Sequence, residues 1–226
     1  MNKNCKVVLV GAGGAGRELA SNLALDPDWF VEGFVDDTKK VGEIVNGLPV
    51  LGGLDWLQTY KGNVAMCIVG NPQVKRRLLR EMFKNSDLCF PIIKNKDSIY
   101  SDYIEFGEGC IVAQPYNYIT VNIKIGNFVW INTRSDIGHD TTIGSFTTIY
   151  TRVNIGGDIH IGEDCVIGTG VTIKPGITIG NNVTIGGGAV VVKNVPDDVV
   201  IVGNPAKVIK TKDTENRWWE TEGSQR

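Results

Sequence analysis

The chain has 226 residues, 42% of them hydrophobic and 21% charged, and 23 basic against 25 acidic side chains leave a formal net charge of −2. That length suits one large domain or two small ones of ordinary globular composition. The balanced charge gives no electrostatic footing for DNA or RNA, and no apolar run is long enough for a signal peptide or a membrane span.

The five cysteines, at positions 5, 67, 89, 110 and 165, are odd in number and lie outside metal-ligand spacing. Neither a disulfide framework nor a zinc site is expected, and a reducing cytoplasm is the expected location. Residues 6–10, KVVLV, read as a buried parallel strand. GAGGAGRELASNLAL follows, with Gly11, Gly13 and Gly16 in G-x-G-x-x-G spacing at the start of a helix. A second apolar run, WFVEGFV, ends at Asp36-Asp37, about 20 residues beyond the last glycine, the β-α-β spacing that sets a phosphate on a helix N-terminus and an acid near a ribose. The fingerprint admits NAD, a nucleotide-bearing substrate or a purely structural turn. NAD is disfavoured, because about 95 residues precede a break in composition whereas the full dinucleotide fold uses six strands. LDWLQTY reads as a short helix, VAMCIVG as a strand, and NPQVKRRLLREMFKN as a helix capped by Asn71 with Pro72 in its first turn. Its apolar face is Val74, Leu78, Leu79 and Met82, and Lys75-Arg76-Arg77 reads as its solvated face. LCFPII reads as one further strand.

Between residues 104 and 203 leucine nearly vanishes and Ile, Val, Gly, Thr and Asn dominate. Every sixth position from Ile125 is Ile, ending with Val191, over twelve consecutive units. Four residues after each comes a small or β-branched side chain, from Val129 and Ser135 to Val195. Neither a helical nor a flat-strand period explains this. A six-residue unit suits a solenoid of short strands and turns, three units closing a triangular coil of about 18 residues. About five coils are expected. The division follows: residues 1–95 as a Rossmann-like domain, 96–210 as the solenoid, and 211–226 as a tail holding Trp218 and Trp219.

The hexads resemble those of the left-handed parallel β-helix acyltransferases, and VGNPAK, residues 202–207, looks like that family's closing segment. Together with GAGGAGRE, FVDD, IVGN and SDIGHDTTIGSF, the chain resembles the sialic acid O-acetyltransferase and UDP-4-amino-sugar N-acetyltransferase family. The resemblance implies an α/β N-terminal domain with a small parallel sheet followed by an all-β left-handed parallel β-helix. It implies an acetyl-CoA-dependent N-acetyltransferase acting on a nucleotide-linked amino sugar, for bacterial surface glycan synthesis. O-acetylation of a sialic acid or another sugar is the alternative, and a non-catalytic sugar-nucleotide-binding scaffold the second. No metal, NAD, nucleic acid or membrane is implied. The family is trimeric, with sites between adjacent β-helices.

By that resemblance His139 is the catalytic base, Asp140 its orienting acid, and Gly157 the donor of an oxyanion-stabilising N–H. Gly11, Gly13, Gly14, Ala15, Gly16, Asp36 and Asp37 would line the nucleotide-sugar site. Thr148 stands where some relatives place a second histidine near the acceptor. Gly157, Gly168, Gly186, Lys174 and Lys193 would border CoA. The other histidine, His160, lacks this motif context.

Overall fold

KVVLV forms β1 (Cys5–Val10), with Val7, Val8 and Leu9 fully buried. In the computed structural model, which describes residues 5–213, β1 lies inside a six-stranded sheet. α1 (Gly14–Ala24) crosses to β2 (Trp29–Val35), which pairs parallel with β1. The others are β3 (Ile44–Val45), β4 (Leu48–Gly52), β5 (Gly62–Met66) and β6 (Leu88–Cys89), in the order β3-β4-β2-β1-β5-β6. Only the β3–β4 hairpin is antiparallel. The short helix is one 3-10 segment, Leu54–Gln58.

α2 (Pro72–Met82) starts as its sequence predicts, the Asn71 side chain accepting the Val74 N–H at 3.1 Å. Its basic run departs from expectation. Lys75 is 1% exposed and Arg76 is half-buried, and only Arg77 and its like face solvent. The expected strand LCFPII is two strands of different sheets. Leu88–Cys89 closes the first sheet, and Ile93–Lys94 opens the solenoid, because Pro91 interrupts the run.

From Ile93 the chain winds through three parallel faces. Face I stacks Ile93–Lys94, Ile111–Val112, Trp130–Ile131, Thr148–Ile149, Val166–Ile167, Thr184–Ile185 and Val199–Val202, then adds antiparallel Lys207–Thr211. Face II runs from Ile99–Tyr100 through Asp136–Ile137 to Val190–Val191, and face III from Ile104–Phe106 through Thr142–Ile143 to Thr178–Ile179. Face II holds six rungs among the described residues, one more than the hexads suggest, because the first coil lacks the repeated letter. Trp218 and Trp219, with most of the 211–226 tail, lie outside the described residues.

All twelve repeated Ile and Val side chains are buried and stack into one core. Ser135, Thr141 and Thr147 also point inward, and each hydroxyl donates to a carbonyl of the following coil: Tyr150, Gly156 and Gly162. The corners require left-handed backbone. Asn122, Phe128, Arg134, Asp140, Phe146, Arg152, Asp158 and Asp164, six residues apart, all have φ between 55° and 65°. Asn and Asp tolerate that region best among residues with a side chain.

The first domain sits on face I. Val7, Leu9, Ala12 and Leu19 share one apolar cluster with Ile111, Ala113 and Trp130. α2 reaches the corner between faces III and I. Lys75 Nζ donates to the carbonyls of Phe128 (2.9 Å) and Phe146 (3.3 Å), while Arg76 pairs with Glu163 and Asp164, both at 2.8 Å, and lies over the Phe146 ring at 3.9 Å.

Candidate active site

The corner between faces II and III carries His139 and Asp140, both exposed. Asp140 Oδ2 lies 2.8 Å from His139 Nδ1, and a carboxylate there can only accept, so the proton belongs on Nδ1 and Nε2 is left bare. The other carboxylate oxygen accepts the Asn122 side-chain N–H at 3.0 Å, from the preceding coil. Hydrogen bonds from Asn122 and then His139 hold the Asp140 carboxyl below its ordinary range. The backbone is pinned as well: Asp140 N–H donates to Val121 O at 3.1 Å, and Asp158 N–H to His139 O at 2.7 Å.

The imidazole lies against Gly157 in the next coil. A Cβ at Gly157 would stand 2.5 Å from His139 Nε2, so only glycine leaves the ring its place. No hydrogen bond among the described residues uses the Gly157 N–H. A bare imidazole nitrogen beside an unengaged N–H has the elements of acyl-transfer chemistry: a proton acceptor and a donor for a developing oxyanion.

The glycine turn is built tightly. A Cβ on Gly16 would lie 1.9 Å from Gly11 O, while Gly13 and Gly14 are exposed with open space before them. Asp36 does not project freely toward a ligand. Its Oδ2 accepts Ala12 N–H at 2.8 Å and its Oδ1 accepts both the N–H and hydroxyl of Thr38. Partial burial raises its pKa, but those hydrogen bonds outweigh it and the carboxyl stays below its ordinary value. Asp37 is exposed and accepts Leu54 N–H at 2.7 Å. Ala15 is half-buried and packs towards face I.

Thr148 requires correction as an acceptor contact. It is fully buried on face I, the face covered by the first domain, and not on the His139 corner. Lys174 and Lys193 are exposed on the corner edge that carries His139, following the face II strands Thr172–Ile173 and Val190–Val191. Gly168 and Gly186 belong to another corner, between faces I and II. There a Cβ would meet Gly187 N at 2.7 Å or Val202 at 2.7 Å, so coil stacking already demands glycine. His160 is exposed on face III, its Nδ1 on Thr142 Oγ1. Among the described residues no group of three or more His, Cys, Asp or Glu could hold a metal ion, and no helix is long and apolar enough to cross a membrane.

Sequence reasoning missed Asn122, although the coil repeat puts it 18 residues before Asp140 and so directly beside it.

Three family models match the chain: the PglD N-terminal domain over residues 6–82, the hexapeptide repeat of succinyl-transferase over 136–175, and the bacterial transferase hexapeptide over 158–193. A search of curated proteins found no match. Among solved structures, WeeI from Acinetobacter baumannii is 31% identical with a TM-score of 0.80, over 91% of this chain and 100% of that one. The chain belongs to the hexapeptide-repeat sugar acetyltransferases. The acetyltransferase domain of PglB from Neisseria gonorrhoeae, solved with acetyl coenzyme A, is 27% identical over 91% of this chain and 100% of that one, with a TM-score of 0.81. PerB from Caulobacter crescentus, solved with CoA and GDP-perosamine, shares the fold at 24% identity and a TM-score of 0.80, over 91% of this chain and 97% of that one. A small parallel sheet precedes the β-helix here.

Proposed function

We propose that this acetyltransferase moves the acetyl group of acetyl-CoA onto the amine of a nucleotide-linked amino sugar, such as an NDP-4-amino-4,6-dideoxy sugar. The observation that carries the reading is the exposed His139, held at Nδ1 by Asp140 while Nε2 lies against Gly157. The amine nitrogen attacks the thioester carbonyl and a C–N bond forms. Nε2 takes the proton the nitrogen loses, and the Gly157 N–H steadies the oxyanion. The C–S bond then breaks, and the departing thiolate takes that proton back from the imidazolium.

Donor and acceptor reach this corner from different directions. Lys174 and Lys193 follow along the His139 edge and suit the phosphates of CoA. The glycine turn, with its helix N-terminus and open approach at Gly13 and Gly14, suits a nucleotide diphosphate. That turn belongs to the domain on face I, and His139 to the vertex opposite that face. A site drawing its loop from one copy and its base from a neighbour accounts for the separation and fits a homotrimer.

UDP-, dTDP- and GDP-linked 4-amino sugars, with sialic acid beside them, assayed for thiol release from acetyl-CoA, test the assignment. Turnover of an amino sugar is expected; turnover of sialic acid alone would make the enzyme an O-acetyltransferase, and turnover of none would favour the scaffold reading. With the active acceptor, His139→Asn should lower kcat/KM by about 10²–10⁴-fold. Activity within a few-fold of wild type would remove His139 from the mechanism.

A further inference from the structure

We infer that Asn122 is a positioning residue for catalysis: from the preceding coil it fixes the carboxylate of Asp140 in the rotamer that holds the proton on His139 Nδ1. The inference rests on His139 being the base and extends it to a residue outside the His-Asp pair.

Adjacency in sequence does not give His139 and Asp140 their geometry. Both side chains are exposed, 63% and 52%, and an exposed Asp turns freely about χ1 and χ2. Something must select the rotamer that faces Nδ1. The groups around the pair are few. On its own corner the pair is joined by Thr141, whose hydroxyl reaches His139 O at 3.4 Å. The preceding coil contributes Val121, through its carbonyl, and Asn122. The following coil contributes Gly157, beneath the ring, and Asp158, which donates its N–H to His139 O. Besides His139 itself, only the Asn122 side chain among these donates to the carboxylate, at 3.0 Å on the oxygen that His139 leaves unused. One oxygen is tied to each neighbour, so the carboxylate plane is set from both sides. The lowered pKa of Asp140 has the Asn122 hydrogen bond as its largest cause, so this bond also favours the charged carboxylate.

The repeat itself supplies the test variant. Asn122, Asp140 and Asp158 occupy the same left-handed corner in three successive coils, with φ of 57°, 56° and 57°. Asn122→Asp therefore keeps a residue type this corner already accepts, while replacing the donor with a second acceptor. The chain has two histidines, so its imidazole ¹⁵N spectrum is simple, and His139→Asn assigns it by deletion. In wild type His139 should show a protonated Nδ1 and a bare Nε2. In Asn122→Asp the two tautomers should mix, kcat should fall by about 10-fold, at the low end for loss of a residue that orients a functional histidine, and KM and the melting temperature should stay put. In an Asp140→Asn background the same change should cost nothing further.

An unchanged tautomer in Asn122→Asp would overturn the inference. So would an equal loss in both backgrounds, which would show Asn122 acting independently of Asp140. The NMR readout needs no turnover. A tautomer shift beside a fully active His139→Asn would therefore sink the base assignment and leave the positioning intact.

Discussion

Asp140 meets two demands with one side chain. The corner it occupies needs left-handed backbone, which Asp tolerates, and the residue before it needs a carboxylate. The structural demand alone would admit Asn or Gly, as at Asn122 and Gly176 on the same edge. The functional demand is visible only in the pairing with His139. Gly157 is held by a steric demand, since a side chain there would strike the imidazole. Gly157→Ala should push the ring from its place and, with His139 as the proposed base, lower kcat by about 10²-fold, the cost of a misplaced catalytic group. Its melting temperature should hardly move, which steady-state kinetics beside calorimetry will check. Thr148 poses the opposite case. Its Oγ1 is buried without a hydrogen-bond partner among the described residues. Thr148→Val keeps the shape and removes a stranded hydroxyl, so it should stabilise the fold by about 1–3 kcal/mol in denaturant unfolding, with activity unchanged. A loss of acceptor affinity instead would restore Thr148 to the substrate site.

α2 shows how an element can be right in outline and wrong in orientation. Asn71, Pro72 and the apolar spacing make the helix legible from the sequence. Its basic residues mislead, because Lys75 and Arg76 face the solenoid and not water. The bulky Phe128 and Phe146 take left-handed corners and stack at 5.7 Å, leaving carbonyls that no backbone N–H among the described residues satisfies. Lys75 fills that gap, and burial lowers its pKa to about 8 from 10.5. Between those values the unfolded lysine keeps a proton that the folded one has shed, so this residue makes the fold more stable as pH rises. Lys75→Met should cost about 1–3 kcal/mol at neutral pH by orphaning the two carbonyls. Urea unfolding at pH 7 and pH 10 should show wild type gaining on the variant at the higher pH. A constant difference would mean that Lys75 does not titrate in this range.

For the whole molecule, the arrangement of prism and first domain matters more than any single contact. The first domain covers face I, and the vertex bearing His139 points the other way. If the nucleotide sits in one copy's glycine turn and the base comes from the next, two inactive variants should rescue each other. Gly14→Asp places a charge where a phosphate is expected, at a position with room for a side chain. Mixed with His139→Asn during refolding, it should recover about a quarter of the wild-type sites by random assortment around a closed ring. No recovery would mean that each chain completes its own site.

The sequence by itself determined the solenoid, because an inward Ile every sixth residue is a local demand repeated twelve times and needs no long-range information. It also determined the β-α-β start and singled out the His-Asp corner. Tertiary structure alone decided which face the first domain covers, why Thr148 is buried, and why Lys75 is dry. It also decided that Asn122 closes on Asp140. Each of these depends on which side chains stacking and docking bring together, and a periodic sequence gives every corner nearly the same local signal.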